Sequence, residues 1–199
     1  MQVSVRRLMG NWDVGYALHT HVISSVYLGR DEHGRDRFDN TRSEPGEALF
    51  QLKYRSDWAQ VQPLAEQVRV SLLPLFPDVG LIVPMPASVA RPRQPVTEIA
   101  RELGRLANIP VFETIVTKAS APVGAPQLKN LTTKEEKAAA LVGRFTVKDV
   151  IGGDGKWNAL LLDDLFDTGA SMEAVCDALR TYPKIGGIYV GAITQGRNS

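Results

Sequence analysis

Apolar positions follow two spacings along this chain, and the change from one to the other marks its elements. Residues 160–162 are three consecutive leucines followed by Asp163 and Asp164, a run suited to a central parallel strand covered on both faces. Beyond Gly169, the residues Met172, Val175, Cys176 and Leu179 recur at i, i+3, i+4 and i+7, which predicts a helix beginning near Ala170. Upstream, residues 14–28 are rich in β-branched and aromatic side chains and read as a strand, followed by a polar loop over 29–37 and an edge strand near Phe38. Two helices are expected between Glu44 and about Leu75. Pro45 stands in the first turn of one, with Ala48, Leu49 and Leu52 on its apolar side; Trp58, Val61, Leu64, Ala65 and Val68 mark the other, ended by Pro74 and Pro77.

The second half alternates more regularly. Residues 81–83 form a short buried strand, 84–93 a basic loop, and Val96, Ile99, Ala100, Leu103 and Leu106 the apolar stripe of a helix. Residues 110–118 should carry the next strand, and 119–131 a loop with no apolar period. Thr133 with Glu136 makes a capping box for a short helix through about Leu141, residues 145–151 read as a strand, and 188–193 as the last one. The alternation from Leu81 onward predicts an α/β fold, a mostly parallel sheet flanked by helices. Residues 77–199 would form its core, and residues 1–76 a small N-terminal appendage of β-strand and helices.

Composition narrows the function classes. With 199 residues, 44% hydrophobic and 23% charged, the chain suits one globular domain burying roughly 70% of its unfolded surface. A net charge of +1 provides no general basic field, so a nucleic-acid contact would need a local patch. The lone Cys176 excludes an internal disulfide and a multi-cysteine zinc site, falls on an apolar helix face and reads as core. Residues 1–12 lack the apolar stretch of a signal peptide, and eighteen apolar residues nowhere run together, so the expectation is a cytoplasmic protein without a membrane span. His19 and His21 stand two apart on a predicted strand, either a metal pair without an evident third ligand or a polar strand face.

The candidate chemistry lies in residues 160–172. Acids at the carboxyl end of a parallel strand sit where open α/β sheets place ligands, and Asp163 and Asp164 would accept from two neighbouring sugar hydroxyls. Gly169 permits the turn into the helix, whose free N–H groups and positive dipole end, with the Thr168 and Ser171 hydroxyls, can hold a terminal phosphate without a lysine. The segment thus reads as a ribose-phosphate grip, against the plainer alternative of a buried strand, a glycine turn and two solvated acids. A Walker B strand also ends in acids, but no G-x-x-x-x-G-K-S/T loop occurs in the chain. A phosphoacceptor receiver domain would need further strands and a lysine after the aspartates, where only one more strand follows.

This segment resembles the signature of type I phosphoribosyltransferases, enzymes that use phosphoribosyl diphosphate (PRPP): four apolar residues, two acids, two residues, then Thr/Asp-Thr-Gly-x-Thr/Ser. The resemblance implies that Thr168, Gly169, Ala170 and Ser171 bind the 5-phosphate, and that Asp163 and Asp164 hold the ribose. Asp167 takes a position where purine-salvage members carry an acid facing the base, so it is either a general base or a residue that shapes the loop. The diphosphate would need a second loop, for which Ala87, Ser88, Arg91 and Arg93 are the candidates. Residues 118–129, with Gln127 and Lys129, would form a lid that excludes water from the charged intermediate. Magnesium is the implied cofactor, bound mostly through diphosphate and ribose oxygens rather than by a protein cage. The implied partners are PRPP or a ribose 5-phosphate nucleotide and an unidentified nitrogenous acceptor.

A broader likeness extends over residues 48–193. Residues 48–57, 81–86 and 127–130 and the ribose-phosphate segment occur in the order seen in ComF-like, competence-associated predicted phosphoribosyltransferases. The four-cysteine zinc ribbon of that branch is absent, the Arg-Gly-Phe-Asn-Gln run is reduced to Arg93-Gln94-Pro95, and the Arg-x-x-Asn stretch after the lid is missing, with Lys134 to Lys137 nearby instead. The chain thus resembles an outlying ComF-like member. Two further readings share the grip: a non-catalytic partner of DNA-uptake or DNA-processing machinery, resting on Arg91, Arg93 and the lysines near Lys129, and a nucleotide-sensing regulator. The chain stops soon after its last strand, so a hood over the acceptor would come from the segment before about Pro77. There Trp12, Tyr16, Tyr27 and Phe38 either stack on a flat ring or pack internally. An oligomer is compatible with all of these readings.

Overall fold

The structure is a computed structural model that describes every residue except 88–90, 121, 123, 125, 127 and 197–199, and all side chains of the described residues but that of Lys129. Five strands build the main sheet in the order β1-β2-β9-β8-β5. They are β1 (Arg6–Arg7), β2 (Val14–Thr20), β5 (Val79–Pro84), β8 (Trp157–Phe166) and β9 (Ile185–Gln195). β2, β9, β8 and β5 run parallel and only β1 is antiparallel, so the expected α/β architecture is present.

The sheet is filled on both faces by the period of two along β8. Leu160 and Leu162 point into one core with Leu18, Ile82 and Ile193; Ala159 and Leu161 point into the other with Ala17, Leu81, Val83 and Val190. Three helices cover the first face: α1 (Glu44–Arg55), α2 (Val61–Ser71) and α3 (Pro95–Ala107). The second face is covered by α5 (Ala170–Arg180), whose Met172, Val175, Cys176 and Leu179 are buried at the predicted spacing. The short α4 (Lys134–Ala139) packs beside α5, and its capping box is formed: Glu136 N donates to Thr133 Oγ1 at 3.1 Å and Thr133 N to the Glu136 carboxylate at 3.1 Å.

Several expectations change in detail. Residues 14–28 form not one strand but two, because the chain leaves the sheet at His21. There His21 N donates to Gln195 O at 2.7 Å, at the last residue of β9, and among the described residues no neighbouring strand continues the ladder. β3 (Val22–Arg30) then pairs with β4 (Asp36–Arg42) as a separate antiparallel hairpin. Of residues 110–118 only β6 (Val116–Lys118) is a regular strand, preceded by a single parallel bridge between Val111 and Ile82. It pairs antiparallel with β7 (Phe145–Val147), outside the main sheet. Trp58–Gln60 is a 3-10 turn rather than the start of α2, held by Ala59 N donating to Asp57 Oδ1 at 3.2 Å. Among the described residues, no helix is long and apolar enough to cross a membrane.

Candidate functional site

β8 carries Asp163 and Asp164 out at its carboxyl end and then turns into α5. Gly169 makes the turn at φ +82°, a conformation that side-chain-bearing residues rarely adopt. A Cβ at this position would lie 3.0 Å from Phe166 Cζ, so the turn is tight as well as left-handed. Trp12 meets Phe166 edge to face at 5.9 Å, and Gly196 N donates to Phe166 O at 2.6 Å, which fixes the turn from behind. The first amide of α5 with a partner in its own turn is Glu173 N, which donates to Gly169 O at 2.9 Å. The residues of the helix start, whose amides precede the first intrahelical bond, line a cavity of about 190 Å³.

That cavity is lined by Asp167, Thr168, Gly169, Ala170 and Ser171, together with Leu128, Lys137 and Asp163. A second cavity of about 270 Å³ is lined by Asp163, Asp164, Ser171, Arg91, Lys53 and Lys118, with Met85, Pro86, Gln94 and Pro95. Asp163 and Ser171 belong to both, so the two hollows meet at the acid pair and the start of α5.

The electrostatics differ on the two sides. Lys53 reaches from α1 to Asp164, Nζ to Oδ2 3.0 Å. Burial, and then the neighbouring Asp164, push the Asp163 carboxyl up to about 8, against the opposing pull of the Asp164 amide, which donates to Asp163 Oδ1 at 2.8 Å, and of Lys53 and Lys118. Lys118 is held below the ordinary lysine range by burial, then by Arg144, with Asp163 opposing. Asp167 pairs with Lys137 at 2.6 Å on the side of the smaller cavity, away from Asp164.

Not every candidate reaches the site. Arg91 lines the larger cavity, whereas the Arg93 guanidinium stacks 3.9 Å above the Trp58 ring and lies 3.1 Å from Glu98 Oε2. Ala87 is exposed at the start of its loop. Ser88 and Gln127 lie outside the described residues; Lys129 has its backbone in the 3-10 turn Leu128–Asn130, and its neighbour Leu128 borders the smaller cavity. The sequence marks Lys53, Lys118 and Lys137 only as members of longer segments, with no signal that any of them lines a cavity, because each belongs to an ordinary helix or strand pattern. Of the aromatic candidates, Trp12 is buried against Phe166 and Tyr16 packs on Phe76, while Tyr27 and Phe38 pair on the exposed hairpin with ring centres 5.4 Å apart.

His19 and His21 serve neighbouring backbone and hydroxyl groups. His19 Nδ1 lies 2.8 Å from Thr20 N, and His21 Nδ1 lies 3.1 Å from Thr194 Oγ1. The His21 imidazole is held below its usual range by burial, then by Arg42 and Lys53, with Asp164 and Glu47 opposing. Among the described residues, no group of three His, Cys, Asp or Glu side chains could hold a metal ion.

No family model matches the chain, and no curated protein matches it. Among solved structures it is similar to adenine phosphoribosyltransferase from Saccharomyces cerevisiae complexed with an imino-altritol bisphosphate and adenine, at 14% identity over 85% of this chain and 83% of that one, with a TM-score of 0.46. It is also similar to a hypoxanthine phosphoribosyltransferase from Staphylococcus aureus, at 12% identity over 68% of this chain and 62% of that one, with a TM-score of 0.41. A third similar structure is the UMP synthase of Leishmania donovani, at 15% identity over 80% of this chain and 25% of that one, with a TM-score of 0.39.

Proposed function

We propose that the chain is a type I phosphoribosyltransferase that binds PRPP and transfers its phosphoribosyl group to a nitrogenous acceptor. The observation that carries this reading is the junction of the two cavities: Asp163 and Ser171 are shared between a helix start rich in donors and a hollow lined by Lys53, Arg91 and Lys118. A ligand with a phosphate at one end, vicinal hydroxyls in the middle and a polyanion at the other matches that order of groups.

In this reading the 5-phosphate takes the amides and hydroxyls of residues 168–171, and the ribose hydroxyls donate to Asp163 and Asp164. The diphosphate faces the three cations. The anomeric carbon loses diphosphate as the acceptor nitrogen closes on it, so the sugar passes through an oxocarbenium-like state and no enzyme nucleophile is needed. The residues act by position and by charge: cations stabilise the departing diphosphate, and the acids orient the ribose through its hydroxyls. Two carboxylates are too few for a magnesium cage but fit an ion that keeps mostly substrate and water oxygens; when bound it would neutralise diphosphate charge. Residues 118–129 remain the proposed lid, and the β3–β4 hairpin is the proposed hood. A cytoplasmic setting and an outlying ComF-like position belong to the same proposal.

Calorimetry with PRPP and magnesium, paired with an assay for diphosphate release over a panel of bases, amines and water, tests the reading. Binding that is lost in the Asp163→Asn, Asp164→Asn double variant supports it. Absence of any heat with PRPP overturns it, and binding without turnover leaves the nucleotide-sensing reading in its place.

A further inference from the structure

Lys137 has no part in the function proposed above, yet its ammonium faces the smaller cavity. It lies on α4, and its Nζ is 2.6 Å from Asp167 Oδ2. Its side chain is 17% exposed, whereas that of Asp167 is 60% exposed, so most of the lysine stem is covered while its acid partner faces water. The other lysine of the helix, Lys134, goes elsewhere: it binds Glu173 of α5 at 2.7 Å, and neither residue lines this cavity. Two lysines one turn apart thus have different tasks. Lys134 fastens α4 to α5, while Lys137 reaches round to the hollow lined by Thr168, Gly169 and Ser171.

Among the described side chains, the charged ones lining that hollow are Lys137, Asp167 and Asp163, with the Lys134–Glu173 pair behind on α4 and α5. Amides and hydroxyls at a helix start bind anions but distinguish poorly between one negative charge and two. A partly covered ammonium adds that distinction, since its attraction rises in proportion to ligand charge and is screened less than that of a fully exposed one. Its present partner is easily given up: a carboxylate as exposed as Asp167 regains water when released, and such a pair contributes little.

We propose that Lys137 is a phosphate-binding residue that recognises the second negative charge of a phosphomonoester at the start of α5, and that Asp167 is the competing anion it leaves when the ligand enters. This rests on reading the cavity as the sugar-phosphate site. It assigns Asp167 to ligand exchange rather than to proton transfer. Leu128, at the end of the proposed lid, lines the same cavity.

The test is calorimetric titration of the full chain with ribose 5-phosphate from pH 5 to pH 8. Wild-type affinity should rise as the phosphate completes its second ionisation near about pH 6. Lys137→Met should weaken binding about 30-fold at pH 7.5 and flatten that rise, a loss of about 2 kcal/mol by the relation of 1.4 kcal/mol per tenfold. Lys137→Arg should retain most of the affinity, and Asp167→Asn should bind about threefold more tightly than wild type, in line with release of a weak competitor. Asp163 titrates in all these proteins alike, so the difference between them isolates Lys137. Lys134→Met breaks only the anchor on Glu173 and should bind as wild type. The inference is overturned if Lys137→Met keeps both affinity and pH slope, if Lys134→Met reproduces its loss, or if Asp167→Asn binds no tighter. A wild type that takes up no ribose 5-phosphate refutes the sugar-phosphate reading itself; a wild type that binds, with an indifferent Lys137→Met, refutes the inference alone.

Discussion

Lys53 Nζ lies 3.0 Å from Asp164 Oδ2, tying helix α1 to the acid pair at the end of β8. The contact joins the N-terminal part of the chain to the candidate site, and both side chains are less than a quarter exposed. Replacing Lys53 by Met takes the paired cation away from Asp164 beside Asp163. Urea denaturation at pH 7 should show a loss of about 1–3 kcal/mol, below the full cost of breaking a deeply buried pair because some water reaches both groups. The Asp164→Asn background should absorb much of that loss; full additivity of the two substitutions would show that the pair is not coupled.

Asp163 should make stability depend on pH in the direction opposite to that of a salt-bridged acid. Its pKa in the folded chain is pushed up to about 8, whereas an unfolded aspartate titrates near about 3.9. Between those values the folded state holds a proton that the unfolded state has released, so this group's contribution falls as the pH rises through that window. Asp163→Asn removes the slope and should be the more stable protein at pH 8 by about 1–3 kcal/mol, the range for relieving a buried group of an unmet charge. Parallel stability curves for the two proteins from pH 5 to pH 8 would refute the burial argument.

Gly169→Ala should damage both fold and ligand binding. The new methyl meets the Phe166 ring at 3.0 Å on a backbone with φ of +82°. A cost of about 1–3 kcal/mol is expected in thermal or urea unfolding, with weaker ribose 5-phosphate binding as the helix start is displaced.

Ser43 is a cap with two bonds. Its hydroxyl accepts from Gly46 N at 3.1 Å and donates to Thr20 O at 2.6 Å, closing the start of α1 onto the end of β2. Ser43→Ala should cost about 1–2 kcal/mol, and hydrogen exchange should rise first at the amides of the first turn of α1.

Cys176 should be inert in the folded protein. Burial pushes its thiol up to about 12, so almost no thiolate exists at pH 8. Mass spectrometry after iodoacetamide should find it unmodified in native protein and alkylated in urea; rapid native labelling would mean that α5 opens far more often than its packing implies.

The sequence by itself determined the strand, turn and helix of residues 160–180. Their information is local: a leucine run, two acids, a glycine able to take positive φ, and apolar residues at helical spacing. The capping box of α4 was legible for the same reason, since its partners stand three residues apart. Tertiary structure decided the rest. The break between β2 and β3 depends on where the neighbouring β9 ends, a property that residues 14–28 do not contain. Arg91 and Arg93 are equivalent in sequence, but a nearby Trp58 ring and Glu98 draw one away while the other faces the cavity. Lys53 and Lys118 reach the larger cavity from a helix and a short strand, and Lys137 reaches the smaller one from another helix. Hydrophobic periodicity dictates which face of an element is buried, but a charged side chain's partner depends on how separate elements pack, and only the folded chain specifies that.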